Sequence, residues 1–404
     1  MANKVKIHGL GLKDMLKFKN MAKEREKVIS AAKADDISAK FLINEKAHDL
    51  HPDYQKMKIV DITEHKNAAT KTYVLKKTDG YRAANFRAGQ YLSVLLKIGD
   101  SLITRPYSIC SAPALTKEGK YMITVRKTAG GFASEYILEN WKIGDEVTVS
   151  DPQGNFFFDD IRDPAKIIAV AGGSGITPFI SMAQAIADKT ENFELTVLYG
   201  SKTKDAILFA DELSVICEKT DKVKVVHVLS DEEAEGYEHG FITAELIRKY
   251  APEEEAYSVF ICGPEAMYRF IEKETAKLSL PAKNIRREML GVTKKVWEQP
   301  GYPEAAKGKT FTLTVKLGAE TYTIPMSADE PILVAIERAG IPAPSRCRSG
   351  ECGWCRAKLT DGKFYATSKN EYRRWADKEN DYIHPCCAFA LSDCTVEIAG
   401  TYVK

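Results

Sequence analysis

The sequence Cys347-Arg-Ser-Gly-Glu-Cys352-Gly-Trp-Cys355, with a further cysteine at Cys386, decides how the last part of this chain folds. The spacing C-x4-C-x2-C followed by a distant cysteine suits a [2Fe–2S] cluster, because two irons and two sulfides need four thiolates. The two glycines of the loop let backbone N–H groups approach the sulfurs. Structural zinc is the alternative, but zinc usually takes two C-x2-C pairs, and here the second half is the adjacent pair Cys386-Cys387. The motif therefore predicts an iron–sulfur domain.

Composition excludes several classes of protein. The 404 residues contain 44% hydrophobic and 28% charged side chains, an ordinary globular balance, and the length suggests two to three domains. The net charge is +2, from 58 basic and 56 acidic residues, and this balance does not indicate binding to nucleic acid or to an anionic membrane. No apolar run approaches the about 18 residues of a membrane span, and no secretory apolar segment follows Met1–Lys6. We expect a cytoplasmic protein, whose clustered cysteines favour metal binding over disulfides.

Changes in composition and in the spacing of apolar residues along the chain predict five segments. Residues 1–54 form an N-terminal helical extension. It is an amphipathic helix that packs on the body or pairs subunits, a docking arm for a protein partner, or a membrane-associating segment. Residues 55–160 hold regularly spaced short strands, which predict an antiparallel barrel. Residues 161–291 alternate strands and helices and predict a doubly wound parallel sheet. Residues 292–309, rich in Lys, Gly and Pro, suggest a linker, and residues 310–404 form the cysteine-bearing domain.

A glycine-rich turn follows the first strand of the predicted parallel sheet. It reads Gly172-Gly-Ser-Gly-Ile-Thr-Pro178, directly after the apolar strand 167–171. A strand, a glycine turn and a helix N-terminus offer N–H groups to a pyrophosphate. Cys262-Gly-Pro264 ends a later strand of the same sheet, and ligands bind at the carboxyl ends of such strands. Together the two motifs predict a nucleotide site.

The predicted barrel carries the segment Arg105-Pro-Tyr-Ser108. The arginine can pair with a phosphate, and a tyrosine two residues later lies on the same strand face and can stack on a planar ring. The serine can hydrogen-bond a ring nitrogen. In isolation such a segment is usually an ordinary strand, and its meaning comes from the other motifs.

These segments together resemble the ferredoxin–NADP reductase superfamily, and more closely its bacterial oxygenase-reductase members with a C-terminal plant-type ferredoxin domain. The resemblance covers about residues 57–400. Arg105–Ser108 matches the flavin motif R-x-Y-S, and Gly130–Ser134 matches the flavin pyrophosphate loop. Gly172–Pro178 and Cys262–Met267 match the nicotinamide motifs. The resemblance implies a multidomain α/β plus β protein: an antiparallel flavin-binding β-barrel, a doubly wound parallel nucleotide-binding domain and a C-terminal β-grasp ferredoxin domain.

The resemblance also implies roles for single residues. Arg105 would hold the flavin phosphate, Tyr107 would stack on the isoalloxazine and Ser108 would lie near N5. Thr177 and Cys262 would border the nicotinamide, and the implied catalytic residues are Tyr107, Ser108 and Cys262. The remaining implied cofactor-binding residues lie in the phosphate loop and the nucleotide motifs: Gly131, Phe132, Ala133, Ser134, Gly172, Gly173, Ser174, Gly175, Gly263 and Pro264. The implied cluster ligands are Cys347, Cys352, Cys355 and Cys386, the last because the stretch to Asp393 resembles the plant-type ending.

The choice of cofactors rests on smaller signals. The flavin loop looks more like the FAD members, so FAD is expected and FMN is the alternative. The segment 285–291 carries no aromatic residue, although the family often closes on the flavin with one. Carboxylates at 231–233, after Ser230, repel a 2′-phosphate and favour NADH. Lys202 and Lys204 lie nearby in the sequence and favour NADPH, so NADPH stays an alternative to NADH.

The implied activity is that of an NADH-dependent oxidoreductase. Electrons would pass from NADH to FAD, to the [2Fe–2S] cluster and to a separate acceptor protein, such as an oxygenase, a demethylase or another redox partner. The alternatives are a non-catalytic relay subunit of a larger redox complex and a reductase of NAD⁺ that runs in reverse. The cluster cysteines are flanked by three arginines, Arg346, Arg348 and Arg356. If electrons leave the protein at this loop, the arginines would face carboxylates of the acceptor.

Overall fold

The computed structural model describes residues 12–31, 47, 51–66, 69–128, 130–367 and 371–399. The first of two compact units, residues 1–50, contains the 20-residue helix α1 (Leu12–Ala31). This helix occupies the predicted extension, and its role in packing or docking stays a prediction. Across the described ranges, no helix is long and apolar enough to cross a bilayer.

The second unit, residues 51–404, begins with a six-stranded antiparallel sheet in the order β4-β3-β6-β1-β2-β5. Its strands are β1 (Tyr54–His65), β2 (Thr70–Lys77), β3 (Tyr91–Ile98), β4 (Ser101–Ser108), β5 (Lys120–Arg126) and β6 (Glu146–Ser150), and helix α2 (Phe132–Asn140) is inserted before the last. Inward-facing side chains such as Ile59, Tyr73 and Val94 are fully buried, since alternate residues of a strand point to one face.

A six-stranded parallel sheet follows in the order β10-β9-β8-β7-β11-β12. Its strands are β7 (Lys166–Gly172), β8 (Glu194–Ser201), β9 (Val223–Leu229), β10 (Glu238–His239), β11 (Ser258–Cys262) and β12 (Ile285–Arg287), and its helices are α3 (Thr177–Ala187), α4 (Ala210–Lys219), α5 (Ala244–Tyr250) and α6 (Glu265–Ala276). Strand β7 is buried along nearly its whole length because helices cover both faces. The strand order reverses between β7 and β11, so Gly172 and Cys262 lie at the switch point where such sheets bind ligands.

The C-terminal domain is a five-stranded mixed sheet in the order β14-β13-β19-β15-β17, with a separate pair β16-β18. Its strands are β13 (Thr310–Leu317), β14 (Glu320–Ser327), β15 (Ala357–Asp361), β16 (Phe364–Ala366), β17 (Tyr382–Ile383), β18 (Ala388–Ala390) and β19 (Cys394–Ile398), and its helices are α7 (Ile332–Arg338) and α8 (Trp375–Glu379). The sheet holds α7 through the buried side chains of Leu313, Ile332 and Val396. The predicted succession of antiparallel barrel, parallel sheet and ferredoxin domain is confirmed.

The segment predicted as a linker, residues 292–309, packs onto the C-terminal domain. Val296, Tyr302 and Ala306 are buried against Ala328 and Phe389. The Tyr302 hydroxyl donates a hydrogen bond to the carbonyl of Ala328 at 3.2 Å. The segment is therefore part of the folded unit, because its few large side chains find a core in spite of the surrounding lysines, glycines and prolines.

Candidate functional site

The predicted flavin residues of the barrel lie on β4. This strand pairs antiparallel with β3, so that Val94 faces Arg105 and Tyr91 faces Ser108. Arg105 and Tyr107 are partly exposed on the strand, whereas Ser108 is buried. Burial and the neighbouring Arg348 lower the pKa of Arg105 to about 10, so its guanidinium remains charged at neutral pH. The strand thus presents a cation and an aromatic ring two residues apart.

The second predicted flavin segment lies at the start of α2. A Cβ on Gly131 would lie 2.5 Å from the Ser134 hydroxyl, so glycine is required there. That hydroxyl accepts a hydrogen bond from the Thr128 N–H at 3.2 Å and lies 3.3 Å from the carbonyl of Gly131. Ala133 is buried and Phe132 is 53% exposed. Ser134 thereby holds the shape of the loop, and its contact with a pyrophosphate stays a prediction.

The two predicted nucleotide motifs pack directly against each other. A Cβ on Gly175 would lie 2.1 Å from the carbonyl oxygen of Cys262, so a larger residue would push the turn away from β11. A Cβ on Gly172 or Gly263 would come within 2.6 Å of the Met267 side chain. Both motifs therefore form one edge of the sheet, as the sequence predicts.

Hydrogen bonds within the turn complete this edge. Gly173 has a φ of +52° and its carbonyl accepts a bond from the Tyr199 hydroxyl at 3.0 Å. The Thr177 hydroxyl, at the first residue of α3, donates to the carbonyl of Ser174 at 3.0 Å. Pro264 precedes the first residue of α6. The turn is thus braced from within and from β8, which suits it to hold a ligand at fixed N–H groups.

Glu288 is a functional candidate that the sequence analysis missed. Its Oε2 atom accepts a 2.6 Å hydrogen bond from the Ser108 hydroxyl and lies 3.8 Å from the Cys262 sulfur. The side chain is buried, and burial raises its pKa to about 8 despite the Ser108 hydrogen bond. Glu288 therefore connects the predicted flavin strand with the predicted nicotinamide cysteine through a carboxyl group that titrates near neutral pH.

The sequence contains one signal for Glu288. Strands β11 and β12 run parallel with Ile261 opposite Arg287, so the next residues, Cys262 and Glu288, end level with each other. The backbone N–H of Glu288 donates to the carbonyl of Ile261 at 3.0 Å. A single carboxylate at the end of a predicted parallel strand, beside the cysteine of another, could have marked this position.

The predicted cluster cysteines form two thiol pairs. Cys352 hydrogen-bonds Cys347, and Cys355 hydrogen-bonds Cys386. The Cys352 thiol and nearby backbone N–H groups lower the pKa of Cys347 well below its usual value. Among the described residues, no three metal-binding side chains converge on one point. Two pairs match a dinuclear cluster, in which each iron takes two thiolates.

Backbone N–H groups of the loop point at these sulfurs. The amides of Ser349 and Cys352 each lie 3.4 Å from the Cys347 sulfur, and the amide of Trp354 lies 3.4 Å from the Cys352 sulfur. The loop glycines Gly350 and Gly353 have φ values of +87° and +70°, which other residues rarely adopt. The loop thus has the donors and the backbone shape that a cluster of this kind needs.

The arrangement around Cys386 distinguishes it from its neighbour. Cys386 hydrogen-bonds both the Cys355 thiol and its neighbour Cys387, and the Cys387 sulfur also lies 3.5 Å from the carbonyl of His384. Both thiols are buried. This geometry supports Cys386 as the fourth ligand, and the assignment stays a prediction.

Two of the arginines expected to face an acceptor are buried instead. Arg346 is 1% exposed. Its guanidinium carbon lies 4.4 Å from the centre of the Tyr54 ring and 4.6 Å from the centre of the Trp354 ring. The guanidinium also donates a hydrogen bond to the carbonyl of Asp53 at 2.8 Å. Arg348 is 2% exposed. The expectation of a docking role is wrong for this pair, because Asp53 and Tyr54 contact Arg346, and Glu337 of helix α7 pairs with Arg348.

Arg348 belongs to a charged triad that joins two domains. Its guanidinium donates to Oε1 of Glu337 on helix α7, and Oε2 of Glu337 lies 3.8 Å from Arg105 of β4. The Glu337 side chain is 3% exposed. One buried carboxylate thus holds the cluster loop and the predicted flavin arginine together.

The segment 285–291, which we call the junction segment, also reaches the cluster loop. The backbone N–H of Gly291 donates to the carbonyl of Cys347 at 3.1 Å. Through Glu288 the same segment contacts Ser108 and approaches Cys262. The predicted flavin, nicotinamide and cluster sites therefore meet at one short stretch of chain.

Comparison with known families identifies three domains. Residues 58–158 match the oxidoreductase FAD-binding domain, residues 169–273 the oxidoreductase NAD-binding domain, and residues 315–391 the 2Fe-2S iron-sulfur cluster binding domain. The cofactor classes predicted from the sequence are confirmed at this level. The residues proposed to hold them stay predictions.

Known proteins resemble the chain over most of its length. The ferredoxin reductase component of 3-ketosteroid-9-alpha-monooxygenase from Mycobacterium tuberculosis is 28% identical, over 78% of this chain and 86% of its own. The carnitine monooxygenase reductase subunit of Escherichia coli is 28% identical, over 81% and 92%. The solved structure of phthalate dioxygenase reductase is 25% identical, with a TM-score of 0.61 over 85% of this chain and 98% of that one.

These similarities extend across all three domains, which occur in the same order as the sequence motifs. The chain is an oxidoreductase and a member of the ferredoxin–NAD(P) reductase superfamily, a flavoprotein with a C-terminal 2Fe-2S domain that is homologous to oxygenase reductase components.

Proposed function

We propose that this chain is an NADH-dependent reductase that passes electrons through FAD and a [2Fe–2S] cluster to a separate acceptor protein. The junction segment carries the proposal, because it contacts Ser108, approaches Cys262 and bonds Cys347. The relatives are reductase components of monooxygenases, which supports an oxygenase as the acceptor. All nine cysteines lie in the described part of the chain and none of them forms a disulfide, which supports a cytoplasmic location.

Each cofactor has a set of residues that would hold it. Arg105 and the start of α2 would hold the flavin phosphates, and the ring of Tyr107 would pack on the isoalloxazine. The turn from Gly172 to Thr177 and the Cys262–Pro264 loop would hold the nicotinamide nucleotide. The cluster would be held by Cys347, Cys352, Cys355 and Cys386. When bound, FAD accepts a hydride from NADH and releases its electrons singly, and the cluster carries one electron at a time.

Glu288 and Ser108 would take up and release the proton that accompanies these electrons. With a pKa raised to about 8, the Glu288 carboxyl group is mostly protonated at pH 7. The Ser108 hydroxyl donates a hydrogen bond to this carboxyl group at 2.6 Å, and by the family resemblance Ser108 would lie near N5 of the flavin. The pair can take up or release a proton at the Ser108 oxygen, and the neutral carboxyl group places no negative charge beside an arriving hydride.

The test uses the full chain purified with flavin and iron bound. We expect NADH to reduce both ferricyanide and cytochrome c, with two cytochrome c haems reduced for each NADH oxidised. A chain that oxidises NADH with neither acceptor is the non-catalytic relay subunit, and the proposal is then wrong.

A further inference from the structure

We propose that an acceptor protein with an acidic surface docks in a groove beside the cluster loop; this inference rests on the proposed function. The groove has a volume of about 590 Å³. Part of its wall is the loop from Cys352 to Trp354. The rest comes from β13, β15, β17, β19 and residues next to these strands, and every lining residue belongs to the C-terminal domain.

The groove is where the predicted cluster comes nearest to solvent. Three of the four predicted ligands are buried, with Cys347 2%, Cys355 6% and Cys386 1% exposed. Cys352 is exposed and lines the groove. An electron leaves a buried cluster most readily where the partner can approach most closely, and Cys352 offers that approach.

Entry and exit of electrons would use different sides of the loop. On one side, the carbonyl of Cys347 bonds Gly291 of the junction segment, so this side faces the predicted flavin and nicotinamide sites. On the other side, no residue of the barrel or the parallel sheet lines the groove. An acceptor in the groove can therefore receive electrons while the domains stay docked.

The groove carries more positive than negative charge. Its lining contains Lys316, Arg356 and Lys358 against Glu397. Lys316 pairs with Glu397 at 3.1 Å, whereas Lys358 forms no ion pair within the described ranges. The excess of cations favours a partner that presents carboxylates, because complementary charge speeds and orients encounter.

Arg356 is a fixed part of this wall. Its guanidinium pairs with Asp377 at 2.5 Å and lies 3.5 Å from the centre of the Tyr382 ring. Arg356 was expected from the sequence to face the acceptor, and it is the one of the three flanking arginines that reaches solvent. Lys316 and Lys358, which no local sequence pattern marks, supply the remaining charge.

The experiment compares two haem proteins of opposite charge as one-electron acceptors, cytochrome b5, which is acidic, and cytochrome c, which is basic. Each haem iron gains one electron that the cluster loses, and NADH supplies electrons in pairs. We expect the wild type to reduce cytochrome b5 faster at low than at high ionic strength. The double variant Lys316→Glu, Lys358→Glu should reduce cytochrome b5 about 10-fold more slowly at low salt and cytochrome c faster.

Three controls make the result specific. Ferricyanide reduction and the visible spectrum should not change, which shows that flavin and cluster are intact. Lys363→Glu, an exposed lysine of the same domain outside the groove lining, should behave as wild type. The double variant Lys316→Gln, Lys358→Gln should show a smaller fall in the rate of cytochrome b5 reduction. It replaces the charge-reversal variant if that variant does not fold.

The possible outcomes distinguish a failure of the proposed docking site from a failure of the proposed function. A wild type that reduces ferricyanide but neither cytochrome contradicts the proposed function. A wild type that reduces both, with variants that keep its rates and its salt dependence, overturns the docking site alone.

Discussion

The hydroxyl oxygen of Ser108 lies 2.6 Å from Oε2 of Glu288, although one residue ends a barrel strand and the other follows a strand of the parallel sheet. Both side chains are buried, so the hydrogen bond forms only when the two domains pack together. A buried carboxyl group without this partner would lose one of its few hydrogen bonds. The contact therefore joins domain packing to the protonation of the candidate site.

Glu288→Gln tests the proton role, because glutamine keeps the size and the hydrogen bonding of the side chain but does not titrate. We expect cytochrome c reduction to fall about 10²-fold, within the range that general acid–base catalysis contributes. The residual rate should lose its pH dependence around the wild-type pKa of about 8. The measurement is kcat with NADH across that pH range.

Glu191→Gln is the matched control for this variant. Burial also raises the pKa of Glu191, but this carboxyl group pairs with Arg87 at 3.9 Å and contacts neither Ser108 nor Cys262. Its pH profile should match that of the wild type. An unchanged profile in Glu288→Gln would remove Glu288 from the proton path.

The same carboxyl group should make stability depend on pH. Its pKa rises from 4.5 in the unfolded chain to about 8 in the folded protein, so the folded state binds more protons between these values. Stability contributed by this group therefore falls as pH rises from about 5 to about 8. We expect the melting temperature of Glu288→Gln to fall less than that of the wild type over this window. Parallel curves would mean that Glu288 titrates normally.

Short-range patterns predicted most of the fold and the cluster loop. The loop from Cys347 to Cys355 and the turn at Gly172 depend on spacing within a few residues, which the sequence displays directly. Strand β4 begins at Ser101, four residues before the Arg105–Ser108 motif, because the tight turn at Gly99-Asp100 lets the hairpin pair with β3 from its first residue.

Contacts between distant segments were beyond the sequence patterns. Glu288 becomes a site residue only through the parallel register of β11 and β12. Arg346 and Arg348 are next to predicted ligands, and arginine is usually exposed. Their burial depends on Tyr54, almost three hundred positions earlier, and on Glu337 of α7, neither of which has a local signal.

Ligand choice at the adjacent cysteines can be tested by Cys386→Ser and Cys387→Ser. The first change removes a proposed thiolate, so the cluster spectrum and the bound iron should be lost, together with cytochrome c reduction. Ferricyanide reduction should largely survive, because Arg105–Ser108 and the turn at Gly172 are untouched. Cys387→Ser should keep the cluster, and the reverse pattern would exchange the two assignments.

Nucleotide preference can be tested at Asp231, which follows β9. The Ser230 hydroxyl lies 2.6 Å from its Oδ1 atom, and Oε2 of Glu232 accepts a hydrogen bond from the backbone of Lys204 at 2.9 Å. These carboxylates should repel a 2′-phosphate, so we expect a higher kcat/KM with NADH than with NADPH. Asp231→Arg should shift the ratio toward NADPH by about 10-fold, or 1.4 kcal/mol. A wild-type preference for NADPH would reverse the proposal.

The triad centred on Glu337 should be a main support of the contact between the barrel and the cluster loop. Glu337→Ala would leave Arg348 buried without its carboxylate and Arg105 without its ion pair. Removal of one partner from a buried ion pair costs about 3–5 kcal/mol, so we expect a large fall in melting temperature and early proteolytic release of the C-terminal domain.

Glu330→Ala separates this effect from the loss of any glutamate–arginine pair. Glu330 bonds Arg338 at 2.6 Å, but Arg338 is 52% exposed, so the change should cost about 1 kcal/mol. The double variant Glu337→Leu, Arg348→Met should regain much of the stability lost in Glu337→Ala, because it removes the uncompensated buried charge. If Glu337→Ala costs no more than Glu330→Ala, the domains are held by apolar packing and the triad is incidental. If the double variant is stable but loses flavin, the carboxylate instead serves to hold Arg105 in place for the flavin phosphate.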